Sequence, residues 1–363
     1  MANDDELRAS DEELAAANEG FMSSGDVRTG FISGVTFTNK PIQYEVVDGL
    51  AFFEGCICLG RAEELERDAG LIRAAATEGG VIPAAASIGE DALIAHGVAI
   101  TGSQYRWPNA VLPYEVDGGL PNQSRVTDAV AHFHQRTTLR LVERTAANAS
   151  QYPNYVRVFR GDGCWSYVGM QGGRQDLSLA DGCGFGATVH EFSHAFGLWH
   201  EQSREDRDQF VTINWQNIQA GREHNFNQHI TDGDDIGGYD YGSLMHYGMY
   251  AFSKNNLPTI VPKQSGVTIG QRDGLSTGDI AALHQLYRGV HLVWVRQTFA
   301  TTASKNAWAY VEGAGITTGW RKIDPNAPDG VTNTLSILAA SRAFDKQVYA
   351  DLDGGQIYAA YGN

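Results

Sequence analysis

Hydrophobic and polar positions along the 363-residue chain fall into three textures. Residues 27–60 alternate short apolar runs with turns (VRTGFISGVTFTNKPIQYEVVDGLAFFEG and onward), which predicts strands and loops. RAEELERDAGLIRAAATEGG, from 61, has helical spacing and is stopped by the glycine pair at 79–80. The stretch from Val81 to Gln104 is rich in small residues and weakly patterned, as expected of an exposed linker.

At Trp107 the pattern sharpens. VLPYEVD (111–117) predicts a strand, and Ser124 is placed to cap a helix carrying Val126, Ala129, Val130 and Phe133 on one face. YVRVF (155–159) has the period of two of a half-buried strand. A glycine-rich turn, DGCGFG, leads into a helix expected to start near Ala187. Residues 202–242 look mostly irregular, and LSTGDIAALHQLY predicts a last helix. From about 290 the chain turns β-like, with Trp294, Trp308, Trp320, Tyr349, Tyr358 and Tyr361 spaced among turns. Two readings of these aromatics stay open: the core of a small structural module, or a surface for glycan or substrate.

Composition narrows the class. Hydrophobic residues at 42% and aromatics at 10% indicate a globular chain. A formal charge of −16 argues against nucleic acid or an anionic membrane as partner. No apolar run reaches the roughly 18–20 residues of a membrane span. MANDDELRASDEELAAANEG is read as a solvated acidic tail with none of the apolar stretch of a signal peptide. The chain is then cytosolic, or a leader was removed and Met1 was added for expression; the second is preferred because of the cysteines below.

Candidate chemistry is concentrated in HEFSHAFGLWHE (190–201). His190 and His194, four apart on a helix, project from one face a turn apart and can share one zinc ion at about 2.1 Å from each nitrogen. Gly197 can end the helix in a left-handed conformation, so that the chain turns and brings in His200. Glu191 lies beside the ligands without being needed as one. Three protein ligands leave a fourth position for water, the mark of a catalytic zinc site. HExxH alone arises by chance in roughly one chain in fifty to one hundred of this length; the added glycine and third histidine lower that to about one in ten thousand.

This is the metzincin signature, and further matches narrow it. Glu201 follows the last histidine, and Ser243-Leu244-Met245-His246-Tyr247 lies downstream. With GCWSYVG (163–169), REDRDQFVTINWQNI (204–218) and IGQRDGLSTGDIAALHQLY (269–287), the chain resembles the astacin family of zinc endopeptidases from about Trp107 to Tyr287. The resemblance implies an α+β metzincin fold of two subdomains. A twisted mixed sheet and the active-site helix lie above, an irregular C-terminal subdomain below. The expected organisation is an inhibitory pro-segment (1–98), a catalytic domain (99–288) and a β-rich module (289–363).

Carried over residue by residue, His190, His194 and His200 hold one zinc ion per chain, and Glu191 is the general base. Met245 packs in the turn beneath the metal, and Tyr247 stabilises the oxyanion. Glu201 resembles the residue that receives the new amino terminus after activation. Arg272 aligns with the pocket for the residue after the scissile bond, where a cation favours an acidic side chain; a solvated loop arginine is the competing reading. The implied partners are protein or peptide substrates and an activating protease that cuts between about 90 and 106.

Cys164 and Cys183 match a disulfide of the family, which implies an oxidising compartment and hence secretion. The family's other usual bridge is missing, since its first position falls at Thr138. Cys56 and Cys58 are therefore left over. Precursors of the family carry a motif similar to F-x-G-D, whose aspartate occupies the open zinc position. Here Phe53-Glu54-Gly55-Cys56 matches, with cysteine in the aspartate's place. The expectation is a latch of cysteine-switch type, a thiolate bound to zinc at about 2.3 Å. Cys58 as ligand, a strained Cys56–Cys58 bond and a plain buried thiol are the alternatives.

Overall fold

The computed structural model describes residues 8–18, 20–32, 40–77, 105–137, 139–228, 236, 238–287, 290–300, 307–313, 318–323, 331–345, 348–353 and 356–362. The linker over 78–104, most of the expected cleavage window, the 98/99 boundary and Thr138 lie outside them. The chain divides into two units, residues 1–106 with 112–283, and residues 107–111 with 284–363.

The first unit is built on a nine-stranded mixed sheet. Its strands are β1 (Val27–Ile32), β2 (Lys40–Val47), β3 (Leu50–Phe53), β4 (Ile57–Arg61), β5 (Val111–Val116), β6 (Arg140–Glu143), β7 (Tyr155–Phe159), β8 (Cys164–Ser166) and β9 (Arg174–Leu179), in the order β1-β2-β3-β4-β8-β9-β7-β5-β6. β7 lies between parallel partners β9 and β5, and its alternating residues Val156 and Val158 are fully buried. The strands expected over 27–60 form an antiparallel meander that joins this sheet at its edge. β4 runs parallel to β8 with Ile57 opposite Ser166, whose N–H donates to the Cys56 carbonyl at 3.1 Å. An edge strand offers a row of unpaired amide groups, and the meander covers this one. The sheet thus fixes the place of Cys56.

Three helices pack on this frame: α2 (Ala62–Thr77), α3 (Ser124–Arg136) and α4 (Phe185–Ala195). Val189, Phe192, Ala195 and Phe196 form the buried stripe of α4, and Phe133 of α3 meets Phe192 and Phe196 at ring-centroid distances of 6.4 and 5.3 Å. Ser124 is the first residue of α3 rather than its cap; its hydroxyl bonds the Asn122 side chain at 2.9 Å. α4 starts at Phe185, two residues before the expected Ala187, and Gly186 in its first turn sits so close to the Arg272 carbonyl that no side chain fits there. Residues 202–228 carry short 3₁₀ turns and β10 (Val211–Ile213), which pairs with β11 (Ile260–Pro262). α5 (Thr277–Leu286) is the expected late helix.

From Ala9 onward the described part of the expected acidic tail is packed rather than solvated. Ser10 and Glu13 exchange hydrogen bonds, Ser10 N–H to Glu13 at 2.8 Å and Glu13 N–H to Ser10 Oγ at 3.2 Å, a capping box that starts α1 (Asp11–Ala17). Ala9 is buried and its N–H donates to the Asn256 carbonyl at 2.8 Å. The Asn18 side chain accepts from Phe252 N–H at 2.7 Å, and Phe21 stacks on Phe252 at 4.8 Å. These contacts to distant backbone and rings are invisible in a local pattern of acidic residues.

The second unit is a closed barrel of β12 (Val290–Ala300), β13 (Ala307–Gly313), β14 (Gly319–Ile323), β15 (Val348–Asp353) and β16 (Gln356–Gly362), in the order β12-β13-β14-β16-β15. A 13-residue helix, α6 (Val331–Ala343), lies between β14 and β15 and packs against the barrel strands. The sequence reading expected a β-rich module here and named no helix. Threonine, serine and asparagine at 332–336 mask the helix locally, and burial of Leu338 in the barrel core supplies what propensity does not.

Candidate metal centre

With the apolar stripe of α4 turned to the core, His190 and His194 share the opposite face, their ring centroids 4.6 Å apart. Gly197, at φ +103°, ends the helix, and its N–H donates to the His194 carbonyl at 2.7 Å. A side chain is strained in that conformation, which is why glycine stands there. The chain then brings the His200 ring to 5.4 Å from His190 and 4.7 Å from His194.

A fourth donor comes from the meander. Cys56 Sγ lies 3.6 Å from His190 Nε2, 3.3 Å from His194 Nε2 and 3.3 Å from His200 Nε2. All four donor atoms lie within 4.8 Å of one another and all four residues are buried. A tetrahedral ion with bonds of about 2.1 Å to nitrogen and 2.3 Å to sulfur puts its ligand atoms about 3.5 Å apart. The observed spacings fit one zinc ion. Cys58 is buried near Tyr167 and stands outside this group; neither free thiol is bonded to the other.

Each ring has its remaining nitrogen occupied. Nδ1 of His190 faces the Leu244 carbonyl at 3.1 Å, and Nδ1 of His194 the Leu198 carbonyl at 2.8 Å. Nδ1 of His200 faces Glu54 Oε2 at 2.7 Å. Such partners fix the tautomer that leaves Nε2 free to bind metal. Burial holds His190 and His194 well below the ordinary histidine range, so the rings are neutral donors. Burial pushes the Cys56 thiol up, with Glu191 and Glu54 adding to it. A divalent cation among these atoms reverses that balance and favours the thiolate.

Around the centre, Glu191 is buried and its Oε2 has no hydrogen-bond partner among the described residues; burial raises its carboxyl, partly offset by Arg272. The Tyr247 hydroxyl donates to the Glu54 carbonyl at 2.7 Å, and Phe21 lies against the same ring at 5.1 Å. Met245 is buried in the turn below, where its carbonyl accepts from Glu201 N–H at 3.1 Å. Glu201 accepts from Asp240 N–H at 2.8 Å and lies near Arg204. Arg272 is not a solvated loop cation: its guanidinium donates to the carbonyls of Leu244, His246 and Gln271 at 3.0, 3.2 and 2.9 Å. Cys164 and Cys183 form a disulfide across a separation of 19 residues, beside the start of α4.

Residues 99–288 match the profile of the Astacin peptidase family, over half of the chain. The chain belongs to the astacin family. Among its relatives, zinc metalloproteinase nas-15 of Caenorhabditis elegans is 40% identical over 226 residues, covering 61% of this chain and 39% of that protein. Blastula protease 10 of Paracentrotus lividus is 42% identical over 193 residues, covering 50% of this chain and 32% of the relative. The chain thus spans about a third to two-fifths of the length of these relatives. Among solved structures, high choriolytic enzyme 1, a hatching enzyme zinc-protease from Oryzias latipes, is 37% identical, with 51% of this chain and 96% of that one covered at a TM-score of 0.47. Membership in the astacin family accounts for the α+β fold of the first unit and for zinc as the ion that the histidines fit.

Two features of this astacin-family site escaped the sequence. Glu54 occupies the unspecified position of F-x-G-C, and nothing in a local pattern marks it as the partner of His200 and of Ser203 Oγ at 2.6 Å. Glu45, in a strand of ordinary alternation, is buried in an ion pair with Arg222.

Proposed function

We propose that the chain is a zinc endopeptidase made as a latent, secreted precursor, with residues ahead of the cut serving as an inhibitory strap. The observation that carries this reading is Cys56 Sγ within 3.3–3.6 Å of three convergent imidazole nitrogens. In this state Cys56 stands where a catalytic water would. Tyr247 is meanwhile committed to the Glu54 carbonyl. Cleavage in the linker and departure of the strap free both positions together.

In the activated chain His190, His194 and His200 hold the ion. Zinc, when bound, polarises the substrate carbonyl and lowers the pKa of water towards about 7. Glu191 takes the proton from the attacking water and delivers it to the leaving amine. Tyr247, released from Glu54, donates a hydrogen bond to the oxyanion. Met245 packs beneath the ligands. Glu201 receives the new amino terminus: burial raises its carboxyl to about 8, and an arriving ammonium beside it favours the carboxylate. Arg272 contributes positive potential to the wall of the pocket and favours an acidic residue after the scissile bond. The Cys164–Cys183 disulfide supports an oxidising, extracellular location.

The rival reading, an adhesion or glycan-binding protein on a weakly active or inactive protease scaffold, leaves the full set of His190, His194, His200, Glu191 and Tyr247 without a role. The deciding experiment measures zinc per chain and casein hydrolysis before and after limited trypsin treatment. Stoichiometric zinc, silence before cleavage and chelator-sensitive activity afterwards are expected. A metal-loaded, cleaved chain that hydrolyses no peptide would sink the reading.

A further inference from the structure

The barrel of the second unit distributes its residues in an unusual way. Its core is small and aliphatic: Val293, Val295, Ala307, Ala309, Val311, Ile323 and Leu338 are buried. The large rings of β12, β13 and β14 point outward. Along β13, buried Ala307, Ala309 and Val311 alternate with half-buried Trp308, Tyr310 and Glu312. Phe299 of β12 pairs with Trp308, and Trp320 of β14 pairs with Tyr310; Phe299 is 53% exposed and Trp320 42%. Four rings on three neighbouring strands thus share one face, and the Tyr310 and Trp320 rings meet edge-on at 5.6 Å. Aromatic side chains usually carry the burial of a small core. Among the described side chains the core is filled without them, and a face of exposed and half-exposed rings marks a binding surface.

The connectivity limits what such a face does. Five strands closed in the order β12-β13-β14-β16-β15, with β14 and β16 parallel and a helix between the third and fourth strands, is the layout of an OB-fold barrel. Barrels of that layout bind oligonucleotides or oligosaccharides across the face of their second and third strands, where Trp308, Tyr310 and Trp320 stand. Charge separates the two ligand classes. Residues 290–363 hold six Lys or Arg and six Asp or Glu, within a chain of net −16. On the face itself Arg296 lies over the Trp294 ring at 4.9 Å and is paired with Glu312 at 2.5 Å, so its charge is spent locally. Binding a phosphate backbone draws on several unneutralised cations, and only Lys322, opposite Trp308, adds another cation on the aromatic rows among the described residues.

We propose that this face is a binding site for a neutral oligosaccharide chain. The apolar C–H faces of sugar rings lie on Trp308, Tyr310 and Trp320, and hydroxyls bond the exposed Gln297 amide and the Arg296–Glu312 pair. The proposal is independent of the peptidase reading, since none of these residues belongs to the metal centre.

The test uses the full chain with chitin, cellulose and a β-1,3-glucan in pull-down and affinity electrophoresis, beside single-stranded DNA. Retention by at least one neutral polysaccharide is expected, unchanged between low and high salt. Trp320→Ala together with Trp308→Ala should weaken it by about tenfold or more. Zinc content and the circular-dichroism spectrum should stay at parental values, and Phe344→Ala, exposed elsewhere on the unit, should bind normally. No retention on any of the three polymers, equal binding by the double variant, or preferential salt-sensitive binding of DNA overturns the proposal.

Discussion

The Glu54 carboxylate accepts from Nδ1 of His200 at 2.7 Å, a bond between residues 146 positions apart that makes the proposed strap part of the support of His200. The same carboxylate takes the Ser203 hydroxyl at 2.6 Å, and the Glu54 carbonyl holds Tyr247. Glu54 itself sits at φ +47°, a left-handed conformation that places carboxylate and carbonyl on opposite tasks. The strap therefore touches the centre three times through one residue, besides the thiol two positions on. Glu54→Ala leaves two buried donors unmet at about 1–3 kcal/mol each. The uncleaved variant should unfold at lower temperature and convert to the active form faster. After cleavage its kcat/KM should equal that of the parent, because residue 54 is gone. An unchanged conversion rate would refute a supporting role for Glu54.

Cys56 and Glu191 test the two states separately. The uncleaved Cys56→Ser chain should hydrolyse a peptide substrate at least about tenfold faster than the uncleaved parent, since serine is a poor zinc ligand and opens the fourth position. Cleaved Glu191→Ala should keep one zinc per chain while losing about 10²–10⁴ of its rate. Metal analysis beside a fluorogenic assay reads both outcomes.

Much of the centre was legible because its chemistry is written in short spacings. His190, His194, Gly197 and His200 lie within one helix and the turn after it, where helical geometry alone brings the rings together. Cys56 was legible only through its likeness to a family motif, and the sheet explains its place: β4 pairs with β8, so the turn before it reaches the histidines. Long-range partners were not legible. Glu45, Glu54, Asn18 and Phe21 bond or pack with residues far along the chain, and no local period encodes such choices. The barrel aromatics show the same limit from the other side. A period of two in AWAYVEG separates two faces without saying which is buried, and the small residues took the core.

Glu45 and Arg222 form a second clasp between the proposed strap and the rest of the first unit. Glu45 is 2% exposed and paired with Arg222, while its Oε2 also accepts from Ser24 and Gly25 N–H at 2.9 and 3.1 Å. Removing one partner of a buried pair leaves the other charged and unpaired, the costly half of the exchange. Glu45→Ala should loosen the strap, so limited trypsin generates activity sooner than in the parent. Glu45→Gln, which keeps acceptors for Ser24 and Gly25, should fall between. Identical time courses for all three chains would exclude Glu45 from latency.

His246 gives the fold a defined acid sensitivity. Burial lowers its imidazole to about 4, although Nδ1 lies 2.7 Å from the Tyr247 carbonyl and Nε2 2.7 Å from the Tyr239 hydroxyl. Its ordinary value is 6.5, so between about pH 6.5 and 4 the unfolded chain binds a proton that the folded chain refuses. Stability rises with pH wherever the unfolded state holds more protons. This residue's contribution is therefore complete above pH 6.5 and is lost as pH falls towards 4, on the order of 3 kcal/mol for a fall from 6.5 to about 4. The metal ligands also titrate on acidification, but they do so equally in His246→Gln, whose amide does not titrate. Urea midpoints of the two chains at pH 7.5 and pH 5 isolate the effect: the parent should lose more stability over that interval than the variant. Parallel losses would mean that His246 is not the proton-refusing group.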